Sequence, residues 1–459
     1  MFSTLLKHLE QQFASFPDLD KVRFVVGLSG GLDSVCLLYL FHHLRSFYPF
    51  HLRAIHINHG LSPNALSWRD LCQVLCDSLG ISLQVESVQL NRQPRQSLEA
   101  VAREARYAAL ERLTCAGDIL VTGHHLTDQM ETFLLHLKRG SGLQGLTCMS
   151  TLAPWQGDRY LFRPLLRIER KTILQTAQEE GWSWVEDESN QDETFDRNFI
   201  RHQVLPVLQE RWPGLASAWG RSIDILQTQQ SIIDEVTQSD LKIWKDAEHC
   251  LNLDAREQLS TARFHNVLRE WVKKSVACYP SFSQIQEIER NIIASKADAQ
   301  ASVKIQGYQI RRFSGRLYLL SAQDVQAFSD SVTLVIDQNV PTPVGTVRLS
   351  EYEPSEWFIM SEGADQIELR FGGMQERCKP LYRERSQTLK QIWKELSVPP
   401  WERPRIPLFF VENVLQCAYG HFQCQIENSF HRNNVKKKYY IHVTKAHSPD
   451  KTPDIRGRE

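Results

Sequence analysis

Short runs of β-branched residues alternate with helically spaced ones through residues 22–137, and this alternation constrains the fold more than any other feature of the chain. VRFVVGLS (Val22 to Ser29) reads as a buried strand running into a glycine pair, and Val35 to Phe47 follows with helical spacing. LRAIHIN (Leu52 to Asn58), a helix carrying Leu71, Val74, Leu75 and Leu79, and the strand ISLQVESV come next. A long helix from Ser97 to Leu113, the strand DILVTG and a helix around Phe133 to Leu137 continue the series. Strands separated by helices build a parallel sheet covered on both faces, with right-handed crossovers. The expected fold class is α/β, with a Rossmann-like parallel sheet in the N-terminal part.

Near Leu215 the pattern changes. Trp219, Ile223, Leu226, Ile233 and Val236 recur at helical spacing over a Gln-rich stretch, a connecting helix that leads into a helical middle region. Phe264 to Trp271 and Ile285 to Ile293 are further helices, and Ser302 to Leu320 switches to period-two alternation with turn signals at Gly307 and Ser314-Gly315. A Pro-punctuated, mixed α/β region begins near Ser329, and the polar residues from His447 read as a loose tail. The 459 residues therefore divide as 1–214, 215–328, 329–446 and 447–459. Fifty-three basic residues against 54 acidic ones leave a formal charge of -1, so any binding of nucleic acid has to use local patches. Apolar runs such as Val35 to Phe41 fall far short of the roughly 20 residues that span a bilayer. The N-terminus, MFSTLLKHLEQQF, reads as an amphipathic helix and not a signal peptide. Ten scattered cysteines without any Cys-x-x-Cys fit reduced thiols in a cytoplasmic protein with no membrane partner.

Most chemistry is concentrated in Ser29-Gly30-Gly31-Leu32-Asp33-Ser34, between the first strand and its helix. Two glycines let the backbone turn tightly and approach a ligand, and the helix N-terminus beyond them is an anion site. Ser29 and Ser34 add hydroxyl donors, and Asp33 can hold Mg²⁺ alongside phosphate oxygens. A Walker loop would need Gly-Lys-Ser/Thr and a dinucleotide fingerprint Gly-x-Gly-x-x-Gly; both are missing. The plain alternative is an ordinary strand-to-helix turn.

In this setting the hexapeptide resembles the pyrophosphate loop of the N-type ATP pyrophosphatase (PP-loop) family, whose members split ATP between the α and β phosphates. The segments IHINHGLSPNA (Ile55 to Ala65), SLEAVAREARY (Ser97 to Tyr107), GHHLTDQMET (Gly123 to Thr132) and LKRGSGLQG (Leu137 to Gly145) narrow the choice. So do Arg163-Pro164-Leu165-Leu166, WVEDESNQD (Trp184 to Asp192) and DRNFIR (Asp196 to Arg201), with LRFGGMQERCKPL and VPPWERPRIPLFF further on. Together they are similar to the tRNA(Ile)-lysidine synthetase family. The resemblance implies an adenine nucleotide alpha hydrolase-like catalytic domain over 1–214, a helical middle domain over 215–328 and a small tRNA-binding domain over 329–446. It also implies a two-step reaction. ATP adenylates the C2 oxygen of the wobble cytidine in the CAU anticodon of the minor tRNA(Ile), and the ε-amino group of free L-lysine then expels AMP to give lysidine. The modified tRNA reads AUA instead of AUG and is charged with isoleucine instead of methionine.

The residues suit that scheme. His124, Asp128 and Glu131 stand at i, i+4 and i+7, which on one helix would share a face. The carboxylates could hold the lysine ammonium or Mg²⁺, and His124 could position the base or relay a proton; alternatively they form a solvated face and a core histidine. The family has two adjacent Asp here where this chain has Thr127-Asp128, and a hydroxyl cannot replace the missing charge. Arg103 and Arg106 could reach phosphates or pair with Glu99. Arg197 and Arg201 could neutralise adenylate charge or serve as structural ion pairs. His56 and His59 lack further zinc ligands at suitable spacing, and both are expected to line the nucleotide pocket at a strand end. Cys72 and Cys76 read as core.

For tRNA the candidates are Lys138 and Arg139 in a Gly-rich basic loop, and Arg377, Lys379, Arg383, Lys390 and Arg403 further on. Residues 370–405 carry nine Lys/Arg against four Asp/Glu, interleaved with Tyr382, Trp393 and Trp401 that could stack on bases or belong to a core. Lys436-Lys437-Lys438 is a weaker charge run. Two rival readings are a PP-loop tRNA thiolase, which would use catalytic cysteines, and a non-catalytic tRNA-binding protein with a degenerate site.

Overall fold

The computed structural model describes residues 1–16, 18–60, 62–90, 98–246, 249–295, 301–329, 331–361, 367–425 and 437–445. Ser97, the Glu99 side chain, Lys436 and the 447–459 tail lie outside the described residues. The chain forms two compact units, Met1–Asp234 and Glu235–Glu459.

In the first unit, α1 (Phe2–Phe13) buries Leu5, Leu9 and Phe13, as its amphipathic spacing requires. The series then runs β1 (Arg23–Gly27), α2 (Leu32–Leu44), β2 (His51–Asn58), α3 (Ala65–Leu79), β3 (Ser82–Ser87), α4 (Leu98–Leu113), β4 (Asp118–Val121) and α5 (Leu126–Lys138). After a single turn, α6 (Leu143–Leu146), come β5 (Leu152–Trp155), β6 (Arg159–Phe162) and α7 (Arg170–Glu179). The sheet order is β3-β2-β1-β4-β6-β5. Every pairing is parallel except the β5–β6 hairpin. Phe24, Val25 and Val26 of the central strand are fully buried, so β1 is covered on both faces and its apolar run needs no alternation. The hairpin is not foreseen in the sequence pattern, because its strands are short and β5 sits at the sheet edge, where Pro154 is tolerated.

From β1 the chain winds outward to β2 and β3, then returns to place β4 on the other side of β1. That reversal makes a switch point, and the crevice beyond the carboxyl ends of β1 and β4 is where such sheets bind ligands. The loops at those ends are Ser29–Ser34 and Thr122–His125.

Three short pieces complete the unit: α8 (Asp196–Phe199), a π-turn over Ile200–Val204 and α9 (Leu205–Arg211). The 30-residue helix α10 (Leu215–Trp244) follows and runs on into the second unit. There β7 (Leu251–Asn252), α11 (Ala255–Gln258), α12 (Thr261–Val276) and α13 (Phe282–Ile288) precede the antiparallel strands β8 (Ser302–Ile305), β9 (Tyr308–Phe313) and β10 (Arg316–Leu320). Phe264, Trp271, Ile285, Val303, Ile310 and Leu317 form their common core. Tight turns at Gly307 and at Ser314-Gly315, all with positive φ, join the strands where the period-two pattern placed them. The remaining described residues include a five-stranded, a four-stranded and a two-stranded sheet, the helix Leu389–Glu395 and short helical turns at Ala322–Val325 and Arg403–Arg405. Among the described residues no helix is long and apolar enough to cross a membrane.

Candidate active site

Gly30 turns with φ +87° and Gly31 caps α2, so Leu32, Asp33 and Ser34 form its first turn. The loop holds itself in shape. Ser34 Oγ donates to the Gly31 carbonyl at 2.9 Å and accepts from the Ser29 amide at 3.2 Å, while the two hydroxyl oxygens lie 3.1 Å apart. From outside, the Val185 amide donates to the Gly30 carbonyl at 2.9 Å. A Cβ on Gly30 would stand 3.2 Å from both Cys72 Sγ and the Val185 side chain. The Gly30 backbone is thus packed closely against Cys72 and Val185.

His56 is part of that floor and not of the pocket wall expected from the sequence. It is 3% exposed, and its Nδ1 donates to the Leu28 carbonyl at 2.9 Å, next to Cys72 Sγ at 3.5 Å. Burial holds its pKa below the usual histidine value. Its contact fixes the end of β1, one residue before the loop.

The second loop packs directly on the first. A Cβ on Gly123 would come within 2.9 Å of the Asp33 carbonyl carbon and Cβ, so only glycine fits there. Helix α5 begins at Leu126, which corrects the expectation that His124 shares a helical face with Asp128 and Glu131. His124 lies before the helix, 2.9 Å from Thr122 Oγ1 through Nδ1. Burial lowers its pKa to about 3; Asp128 opposes that shift, while Arg163, Arg103 and Arg197 add to it.

The histidine between the carboxylates is His125. Its Nε2 is 3.7 Å from Asp33 Oδ2 and its Nδ1 3.6 Å from Asp128 Oδ2, while its amide donates to Asp128 Oδ2 at 2.9 Å. Burial raises the Asp33 pKa, helped by Asp128 and opposed by His125, and Asp33 Oδ1 is buried without a hydrogen-bond partner. Burial also disfavours ionised Asp128, but His125, His124 and Arg197 together outweigh it and hold the carboxyl below the usual range. Glu131, at 0% exposure, accepts from Arg197 Nε at 2.7 Å and Arg201 Nε at 2.6 Å. Arg201 Nη2 also reaches Asp128 at 3.3 Å. Burial disfavours both charged guanidiniums, but the carboxylates win and their pKa values rise. The acidic pair is therefore already bridged by two arginines, and a solvated face is excluded.

Such a crevice, with an anion loop on one side and paired charges on the other, can activate a phosphate ester and present it to a second reactant. Residues 5–208 match the PP-loop domain family. Residues 251–318 match the TilS substrate binding domain, and residues 367–439 the TilS substrate C-terminal domain. The tRNA(Ile)-lysidine synthases of Serratia proteamaculans (strain 568) and Haemophilus influenzae (strain PittEE) are 39% and 40% identical to this chain. Both matches cover 87% of it, and they cover 91% and 95% of those proteins. That of Coxiella burnetii (strain RSA 493 / Nine Mile phase I) is 35% identical, covering 88% and 89%. The chain belongs to the tRNA(Ile)-lysidine synthase family.

Within this lysidine synthase frame the other expected residues separate. Arg103 and Arg106 flank the Tyr107 ring, their guanidinium carbons 5.0 and 5.7 Å from its centroid. Lys138 pairs with Asp196 at 2.7 Å, both well exposed, and Arg139 is exposed. In the second unit Arg377 donates to the Ser386 carbonyl at 3.1 Å, Arg383 pairs with Glu395, and Arg403 donates to the Val398 carbonyl at 2.9 Å. Lys390 is exposed and Lys379 half-buried. Trp393 and Trp401 are core residues, 0% and 6% exposed, so of the three interleaved aromatics only Tyr382, at 53%, is open to a base. Cys72 and Cys76 are fully buried, and burial pushes their thiols up to about 12 and 11, which disfavours a nucleophilic role beside the loop. His125 and Arg163 carry no role in the sequence reading. A helix start one residue later would have singled out His125, but histidine is not a favoured N-cap and gave no such signal.

Proposed function

We propose that the chain joins free L-lysine to C2 of the wobble cytidine in the CAU anticodon of the minor tRNA(Ile), through an ATP-adenylated cytidine. Lysidine formation then shifts reading from AUG to AUA and charging from methionine to isoleucine. The observation that carries this reading is the meeting of a phosphate loop with a carboxylate–arginine cluster at the sheet's switch point, in a chain whose lysidine synthase relatives match it almost end to end. In the proposed division of labour, residues 1–214 perform the chemistry and 215–446 hold the tRNA.

The amides of Gly30, Gly31 and Leu32, with Ser29 and Ser34, grip the departing pyrophosphate, and Arg106 assists at the nucleotide. Asp33 suits Mg²⁺: its Oδ1 has no hydrogen-bond partner, and this ion takes one or two carboxylates together with substrate phosphates. When bound, Mg²⁺ would neutralise phosphate charge. Arg197 and Arg201 neutralise the adenylate, and Glu131 acts through them as a positioning residue because its oxygens already serve both. Asp128 makes the longer arginine contacts, 3.3 and 3.6 Å, and keeps capacity to receive the lysine ammonium. His124 is neutral near pH 7 with a pKa of about 3, so it holds the base by hydrogen bonding and does not relay a proton. Incubation of the chain with ATP, lysine and tRNA(Ile), followed by nucleoside mass analysis and AMP assay, tests the reading. Lysidine and AMP in equal amounts are expected; tRNA recovered without lysidine overturns it.

A further inference from the structure

The charges of the site do not cancel on the β4–β6 side. Arg197 and Arg201 are matched by Glu131 and Asp128. Arg163 and Arg103 are matched by no carboxylate among the described residues. Half-buried Arg163 follows β6, where Nη1 donates to the Ser150 carbonyl at 3.1 Å, and the nearby Tyr107 phenol favours its charged form. Its Nε is buried with no partner. Arg103 lies over the same tyrosine ring. The two cations are close enough that Arg103 adds to the lowering of the Arg163 pKa by burial, and both help keep His124 neutral. Holding two such charges together with no carboxylate among the described residues is costly, and an incoming anion relieves it.

We propose that Arg163, supported by Arg103 and oriented by Tyr107, seats the phosphodiester backbone beside the target base. This rests on the lysidine synthase reading above. Position and charge both favour a backbone. Arg163 stands at the end of β6, two strands from β1 and its triphosphate loop, and so on the acceptor side. One amino-acid carboxylate would leave a guanidinium unmatched, whereas a nucleic-acid strand brings one negative charge per nucleotide.

The test uses the full chain and tRNA(Ile) assembled with a single neutral methylphosphonate linkage on either side of the wobble cytidine. Arg163→Gln is expected to raise KM for tRNA about tenfold or more, with KM for ATP and lysine unchanged. One of the two neutral linkages should weaken the wild type to the same degree and add nothing in Arg163→Gln, the sign that both changes remove the same interaction. Arg163→Lys, which keeps the charge and guards against a folding defect, should recover part of the loss. A rise in KM for lysine alone, or neutral linkages whose effects simply add to that of Arg163→Gln, overturns the proposal. Wild-type enzyme that makes no lysidine refutes the underlying reading instead.

Discussion

The Glu131 side chain is fully buried, and two guanidiniums donate to its oxygens there. Replacing it by Gln leaves Arg197 and Arg201, each about a quarter exposed, facing a neutral amide. Breaking a buried pair from one side costs about 3–5 kcal/mol. Glu131→Gln should therefore lower the unfolding free energy by that order in denaturant titration and abolish lysidine formation. His124 gives a pH signature. Its pKa is about 3 in the folded chain and returns to the ordinary 6.5 on unfolding. Between these values the unfolded state binds a proton that the folded site refuses, so this contribution is full above pH 6.5 and is lost as pH falls. Asp128, also depressed, loses its contribution only below the ordinary carboxylate range, but His8, His42, His56, His59 and His421 are lowered by burial too, so only the difference between wild type and a His124 variant isolates this histidine. Compared with wild type, His124→Gln should flatten the stability decline between the two His124 pKa values by up to about 1.4 kcal/mol per pH unit.

At the level of elements, the site is a contact between two strand ends, and Gly123 is its tightest point. A methyl group there would press on the Asp33 backbone at 2.9 Å, where no flexible side chain can give way. Gly123→Ala should cost about 1–3 kcal/mol of stability and, because the displaced residue belongs to the phosphate loop, weaken ATP binding tenfold or more. Unchanged ATP affinity by calorimetry would show that this contact does not set the loop. The central strands β1 and β4 were legible because burial on both faces makes their apolar runs continuous, as in Phe24 to Val26. The β5–β6 hairpin was not, since four-residue strands with Pro154 carry no period long enough to read. The tight turn between β1 and α2 was legible from its glycine pair and the strand and helix around it. The start of α5 was not, because periodicity repeats every few residues and cannot say at which one a helix begins, so His124 took the place that His125 holds.

For the whole molecule, the proposed hold of the second unit on tRNA should be separable by mutation from the proposed chemistry of the first. Charged residues split by what they already touch. Arg383 pairs with Glu395 and Arg403 holds a carbonyl, so both serve the fold first, whereas Lys379 and Lys390 are committed to no ion pair among the described residues. Arg377 gives one bond to an exposed carbonyl. Replacing Arg377, Lys379 and Lys390 together by Ala should raise KM for tRNA and reduce the salt slope by roughly 0.9 for each phosphate left without its cation, leaving KM for ATP as it was. Trp401 should behave in the opposite way. It packs edge-on against Phe313 and Tyr318, with centroids 6.0 and 5.0 Å apart, and is 6% exposed. Trp401→Ala should cost about 3–5 kcal/mol by cavity formation without altering the salt slope of any folded fraction. A Trp401→Ala protein that melts like wild type but binds tRNA poorly would return this ring to the RNA surface and remove it from the core.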